Sequence, residues 1–93
     1  MLEKDIAKIY WRAKGDKRSA LWCTLIQTID DNGKVVYLEK NGVSPHRHAV
    51  PGANTIDKAL THFFSDWCNA SAMEPGDEIW VEFVGKEEKE VIL

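Results

Sequence analysis

Two histidines in one short segment are the residues whose types and spacing come nearest to a metal site. His46 and His48 stand one residue apart in the sequence Ser-Pro-His-Arg-His. In an extended segment their imidazoles point the same way and can ligate one metal ion, with His62 or Asp66 as the third ligand. Arg47 between them repels a cation, and no fixed spacing supports a third ligand. We therefore expect no metal and no cofactor here, and we expect His46, Arg47 and His48 to contact a partner.

The groups that could act as catalysts lie in unsuitable places. Cys23 and Cys68 fall on the apolar faces of a predicted strand and a predicted helix, where a thiol is normally inert. Two cysteines are too few for a disulfide scaffold, and free buried thiols are favoured over a single bridge between them. Glu78 and Glu82 lie on an open strand instead of converging in a cleft. The chain has no Gly-x-Ser-x-Gly motif and no glycine-rich phosphate loop. We therefore expect a protein that is not an enzyme.

Length and composition limit the fold class. The chain has 93 residues, of which 44% are hydrophobic, and this is enough for one domain spanning residues 1–93. Its formal net charge is −3, which disfavours a generally basic nucleic-acid binder. No apolar run approaches the roughly 20 residues of a membrane helix. Four of the first ten residues are charged, whereas a signal peptide would be apolar there. We therefore expect a cytoplasmic protein that binds no membrane.

Hydrophobic periodicity predicts an α+β fold. Apolar residues alternate with a period of two in four segments, and Asn32-Gly33 is typical of a tight hairpin turn. A helical spacing follows Asn54 and Thr55, which are good N-caps. The predicted order is β-β-β-α-β-β, a mostly antiparallel sheet of about five strands with one amphipathic helix packed on one face. The predicted strands cover residues 6–13, 20–29, 34–40, 77–84 and a last segment ending at 91–93, and the helix covers residues 56 to about 70.

The face of the sheet away from the helix is predicted to carry aromatic side chains. Assigning the more apolar side of each strand to the helix places Trp11 and Trp67 in the core. The opposite face then carries Lys8, Tyr10, Arg12, Trp22, Thr24, Thr28, Tyr37, Glu39, Glu78, Trp80 and Glu82. Monomers rarely leave so large an aromatic surface uncovered without a use for it. The loop over residues 41–53 or a second copy in a homodimer could also cover this face.

Charge and aromatic content together favour a binding module. Residues 1–50 carry a net charge of +3 and residues 51–93 carry −6, and such a divided surface suits a protein partner. We expect a small adaptor, regulator or inhibitor that binds a protein partner through the aromatic sheet face and the 41–53 loop. The alternative is a single-stranded nucleic-acid binder that uses Tyr10, Trp22 and the N-terminal basic cluster. The expected partner-binding residues are Tyr10, Arg12, Trp22, Tyr37, His46, Arg47, His48 and Trp80.

Overall fold

Six strands and two short helices make up the part of the chain that the structure describes. The structure is a computed structural model, and it describes residues 3–84 and the backbone of residues 89–91. Residues 92–93, which end the last predicted strand, lie outside the described residues. The elements are β1 (Lys4–Arg12), β2 (Ala20–Ile29), β3 (Val35–Asn41), β4 (His48–Ala49), α1 (Ile56–Ser65), α2 (Trp67–Ala72), β5 (Glu78–Phe83) and β6 (Lys89–Val91).

The strands form one sheet in the order β4-β3-β2-β1-β5-β6, and every pair of neighbours is antiparallel. The predicted α+β class with a mostly antiparallel sheet is therefore confirmed. Strand β4 is not among the five predicted strands; it has two residues and lies within the segment predicted as a loop. Among the described residues, no helix is long and apolar enough to cross a membrane.

The core lies between the helices and one face of the sheet. Phe63 and Ala59 of α1 are buried against residues of the central strands. Thr55 begins α1 as predicted, because its hydroxyl accepts a hydrogen bond from the Lys58 amide at 3.2 Å. The buried residues of this core are Ala7, Ile9, Cys23, Leu25, Tyr37, Val50, Ala59, Phe63, Ile79 and Val81.

A β-bulge interrupts the alternation of β2. Ile9 pairs with Cys23, but the next residue of β1, Tyr10, pairs with Leu21. Trp22 is therefore one extra residue in β2, without a partner in the register of β1. Such a bulge changes which face the following residues point to. Leu21 consequently shares the outer face of the sheet with Tyr10.

The bulge turns Trp22 toward the helices. Its ring packs against the core and meets the ring of Phe63 edge to face, with centroids 5.0 Å apart. The prediction that Trp22 shares the open face with Thr24 and Thr28 is therefore wrong. Strict alternation gave the wrong side because the extra residue shifts the pattern by one position.

Strand β3 also has its faces exchanged relative to the prediction. Glu39 pairs with Leu25 and Tyr37 pairs with Gln27, so both face the helices together with the buried Leu25. Tyr37 is only 6% exposed and belongs to the core, and its predicted place on the open face is wrong. Alternation predicts that the more apolar side of β3 faces the core, but the register with β2 decides the side. Val36 therefore points away from the helices.

The single predicted helix is broken at Asp66. The φ and ψ angles of Asp66 are −59° and 130°, and its side chain accepts hydrogen bonds from the amides of Cys68 and Asn69 at the start of α2. This new N-cap changes the direction of the chain, so the helical spacing does not continue past Ser65. Trp67 is 80% exposed and Cys68 is exposed, and the predicted burial of both is wrong.

Candidate functional site

Three cross-strand pairs between β1 and β5 form a strip on the face away from the helices. Lys8 pairs with Glu82, Tyr10 with Trp80, and Arg12 with Glu78. These positions alternate with Ile9, Ile79 and Val81 of the core, so they point to the opposite side of the sheet. We call the six residues Lys8, Tyr10, Arg12, Glu78, Trp80 and Glu82 the aromatic strip.

Its centre is a stacked pair of aromatic rings. The centroids of Tyr10 and Trp80 lie 5.7 Å apart, and the ring planes differ by 17°. Both side chains are half-buried. The stack therefore offers solvent a continuous aromatic surface made by two strands.

Charged groups hold the stack at both ends. Arg12 Nη2 lies 2.5 Å from Glu78 Oε2, and Trp80 Nε1 donates a hydrogen bond to Glu82 Oε2 at 3.2 Å. The hydrogen bond from Trp80 to Glu82 lies within β5, whereas the ion pair of Arg12 with Glu78 and the stack of Tyr10 on Trp80 join β1 to β5. Cross-strand pairs of the latter two types contribute about 0.2–1 kcal/mol each to the pairing of two strands. The strip therefore holds β5 against β1 and presents its aromatic rings in a fixed arrangement.

The other half of the outer face is closed by the chain itself. Ile26 is 1% exposed, Thr24 5% and Thr28 4%, although all three point away from the helices. Arg47, which precedes β4, forms an ion pair with Glu3, which precedes β1. Strands β3 and β2 lie between these two elements in the sheet. The aromatic strip is therefore the open part of this face.

Arg47, which is predicted to contact a partner, instead holds the loop between β3 and β4 in place. Arg47 Nε donates to both carboxylate oxygens of Glu3 at 3.1 and 3.2 Å, and Arg47 Nη1 donates to the Pro45 carbonyl at 2.6 Å. His46 is exposed, and Val43 is 97% exposed. The loop thus has a fixed base and an exposed tip.

Titratable groups meet in a cleft between this loop and the junction of the two helices. Glu39 Oε1 lies 3.5 Å from His62 Nδ1, and neither buried atom has a closer partner among the described residues. Burial raises the pKa of Glu39, although the neighbouring His62 acts in the opposite direction. The cleft has a volume of about 410 Å³, and His48, Asp66 and Cys68 also line it.

The structure brings together only some of the residues considered as metal ligands. His48 and the two residues considered as a third ligand, His62 and Asp66, line the same cleft, but His46 does not. Within residues 3–84, no group of three His, Cys, Asp or Glu side chains is arranged to hold a metal ion.

The expected partner-binding residues fall into three places. Tyr10, Arg12 and Trp80 lie together in the aromatic strip. His46, Arg47 and His48 lie at the opposite edge of the sheet, beside β3. Trp22 and Tyr37 pack in or against the core on the other face.

The largest exposed aromatic residue was not among the expected contacts. Trp67 fell on the apolar side of the predicted helix, and its exposure follows from the helix break at Asp66. Aspartate is a preferred N-cap residue, so the pair Ser65-Asp66 in front of Trp67 is the signal that could have revealed the break.

Comparison of the chain with models of protein families, with curated proteins and with solved structures finds no match. No relative therefore lends a function to these residues.

Proposed function

We propose that this protein is a small interaction module, an adaptor, regulator or inhibitor, that binds a protein partner through the aromatic strip. The stacked pair of Tyr10 and Trp80 on the open half of the sheet is the observation that carries the proposal. Tyrosine, tryptophan and arginine contribute most often to the energetic centres of protein interfaces. Because charged neighbours hold the two rings in place, little conformational entropy is lost when a partner covers them.

The loop after β3 supports the proposal from the other edge of the sheet. Three strand spacings separate β1 from β4, which is about 14 Å at the usual spacing between strands. A protein interface of standard size covers about 800 Å² on each partner and is therefore wider than this distance. One partner can thus cover the strip and also touch His46, His48 and Val43, while Arg47 keeps the base of the loop in place.

A nucleic acid is a less suitable partner for this surface. The stacking pair on which that hypothesis depended, Tyr10 and Trp22, is divided between the two faces of the sheet. The aromatic neighbour of Tyr10 is Trp80, and two carboxylates, Glu78 and Glu82, stand beside it. These carboxylates repel phosphate groups.

The proposal includes a cytoplasmic location, which the two cysteines support. Both Cys23 and Cys68 are free thiols, and Cys68 is exposed. An exposed thiol persists most readily in a reducing compartment.

Affinity capture with matched variants tests the proposal. Tyr10→Ala and Trp80→Ala should each lose a protein that the unaltered chain captures from a native lysate. Trp67→Ala, which removes an exposed tryptophan outside the strip, should retain it. Thermal unfolding of each variant verifies that it is folded. Capture of the same protein by all four chains would contradict the proposal.

Two further outcomes identify other functions. If the unaltered chain sediments as a dimer and Trp80→Ala as a monomer, the strip binds a second copy. Binding of a labelled single-stranded oligonucleotide that weakens steeply with salt would indicate phosphate contacts instead.

A further inference from the structure

A second candidate surface lies where the end of β1, the start of β2 and the end of α2 meet. Trp11, Ala20, Leu21, Trp22 and Ala72 line a groove of about 310 Å³ there. We call it the two-tryptophan groove. The five lining residues are all aliphatic or aromatic, so the groove suits an apolar group.

The walls of the groove are fixed by the core. The β2 bulge brings Trp22 toward the helices, where Phe63 packs edge-on against it at 5.0 Å. Trp11 is held by its indole N–H, which donates a hydrogen bond to Asp77 Oδ2 at 3.1 Å. Asp77 is itself buried, and its Oδ1 accepts a hydrogen bond from the Lys14 amide at 2.9 Å. These hydrogen bonds lower the pKa of the Asp77 carboxyl group. The groove is thus present before any partner binds.

The groove is large enough to hold one bulky side chain. Pockets for small-molecule ligands typically have volumes of about 300–1,000 Å³, and this groove lies at the lower end of that range. One bulky aliphatic or aromatic side chain fits a space of this size.

The charges beside the groove specify what surrounds that side chain. The turn between β1 and β2 carries Lys14, Lys17 and Arg18 with one acid, Asp16, and it leads directly to Ala20 of the groove. None of the three cations forms an ion pair with a described residue. An acidic partner would therefore find unpaired positive charge next to the apolar groove.

Residues of the same turn also line a polar hollow. Its charged lining residues are Arg12, Lys14, Asp16, Lys17 and Glu78. The ion pair between Arg12 and Glu78 neutralises two of them, which leaves two lysines against one aspartate.

The indole N–H of Trp22 has no acceptor among the described residues. A carboxylate or carbonyl group of a bound segment could accept its hydrogen bond.

We propose that the two-tryptophan groove binds a segment of a protein partner that carries one bulky apolar side chain flanked by acidic residues. The apolar side chain fills the groove between Trp11 and Trp22, and the acidic residues lie against Lys14, Lys17 and Arg18. The groove shares no lining residue with the aromatic strip, and the proposal does not require that the strip binds a partner.

Fluorescence anisotropy of a short labelled peptide, in which glutamates surround one phenylalanine, tests the proposal. The unaltered protein should bind this peptide at low salt. Burial of one large apolar side chain is worth a factor of about ten to a hundred in affinity, so replacing the peptide phenylalanine by alanine should weaken binding by that factor. Replacing the glutamates by glutamines should also weaken binding, and added salt should remove the difference.

Two pairs of matched variants locate the binding. Ala72→Phe places a ring in the groove and should weaken binding about tenfold or more, whereas Ala70→Phe, at an exposed position of the same helix that does not line the groove, should not. Lys17→Glu should weaken binding at low salt about threefold, whereas Lys34→Glu on the distant β2–β3 turn should not.

The outcomes separate this proposal from the strip. Trp80→Ala should bind the peptide as the unaltered chain does, so loss of partner capture in that variant leaves the groove proposal intact. Equal binding by Ala72→Phe and Ala70→Phe would overturn the proposal. So would absence of peptide binding, equal affinity for the glutamine peptide, binding of an oligonucleotide at the same site, or self-association that Ala72→Phe abolishes.

Discussion

At the scale of single residues, the two thiols differ in chemistry because they differ in burial. Cys23 has no exposed surface, and burial, together with the charge of Glu39, raises its pKa to about 12. The thiolate is the reactive form of cysteine, so Cys23 is inert in the folded protein. Cys68 is exposed near the start of α2.

Thiol labelling tests this difference directly. An aromatic disulfide reagent at neutral pH should modify one thiol of the native protein and both thiols after denaturation in urea. Cys68→Ser should remove the native reaction and keep the reaction of Cys23 in urea. Rapid modification of native Cys68→Ser would show that Cys23 is reached by solvent.

Glu39 should make the protein less stable as the pH rises. Burial raises its pKa in the folded state above the ordinary value of 4.5, so the folded protein binds this proton more tightly than the unfolded chain. The stabilisation is therefore complete below about pH 4.5 and is lost as the pH rises through the folded-state pKa. His62, Asp66, His48 and the buried thiol of Cys23 are the titratable groups that influence this carboxylate.

Glu39→Gln removes the titrating group and keeps the shape of the side chain. Urea unfolding between pH 4 and pH 8 should show that this variant loses less stability with rising pH than the unaltered protein and is the more stable of the two at neutral pH. Glu74→Gln, at an exposed position, should follow the unaltered protein. A Glu39→Gln curve parallel to that of the unaltered protein would contradict the raised pKa.

At the scale of elements, the sequence predicts the strands well and their faces less well. The hairpin at Asn32-Gly33, the alternation of β5 and the N-cap of α1 are local patterns, and the structure has all three elements. A bulge is a property of two paired strands, because it is one residue too many in β2 relative to β1. Periodicity within β2 alone therefore cannot show on which side Trp22 lies.

The same reasoning applies to the helix. The spacing from Ile56 to Phe64 correctly predicts the face of α1 that packs on the sheet. It fails beyond Ser65 because the side chain of Asp66 caps a new helix, so the helical spacing of α1 does not continue into α2.

In the candidate site, the sequence predicts Tyr10 and Trp80 on the face that they occupy, since β1 and β5 alternate regularly through this region.

The exchanged places of Trp22 and Trp67 give a prediction about stability. Trp22→Ala should lower the free energy of unfolding by about 2 kcal/mol, below the 3–5 kcal/mol typical of a fully buried aromatic residue, because Trp22 is only partly buried. Trp67→Ala should change it by less than about 0.5 kcal/mol, as exposed residues do. Equal losses in urea unfolding would contradict the positions of these two residues.

At the scale of the whole molecule, one strand pairing joins two oppositely charged parts of the chain. Strands β1 to β4 come from residues before 50 and strands β5 and β6 from residues after 77, so the pairing of β1 with β5 is the junction in the described sheet. Residues 1–50 carry a net charge of +3 and residues 51–93 carry −6. Opposite charges therefore meet at this junction, as in Arg12 with Glu78 and Lys8 with Glu82.

A charge exchange at the junction tests whether this attraction holds the two parts together. Arg12→Glu places two carboxylates opposite each other and should destabilise the protein, and Glu78→Arg should do the same with two cations. The double variant restores an opposite pair and should recover about 0.5–1 kcal/mol relative to the sum of the single effects, a coupling that salt reduces. Lys34→Glu combined with Glu78→Arg should show no coupling, because Lys34 lies on the β2–β3 turn. Purely additive effects of Arg12→Glu and Glu78→Arg would mean that the junction depends on its aromatic and backbone contacts instead of its charges.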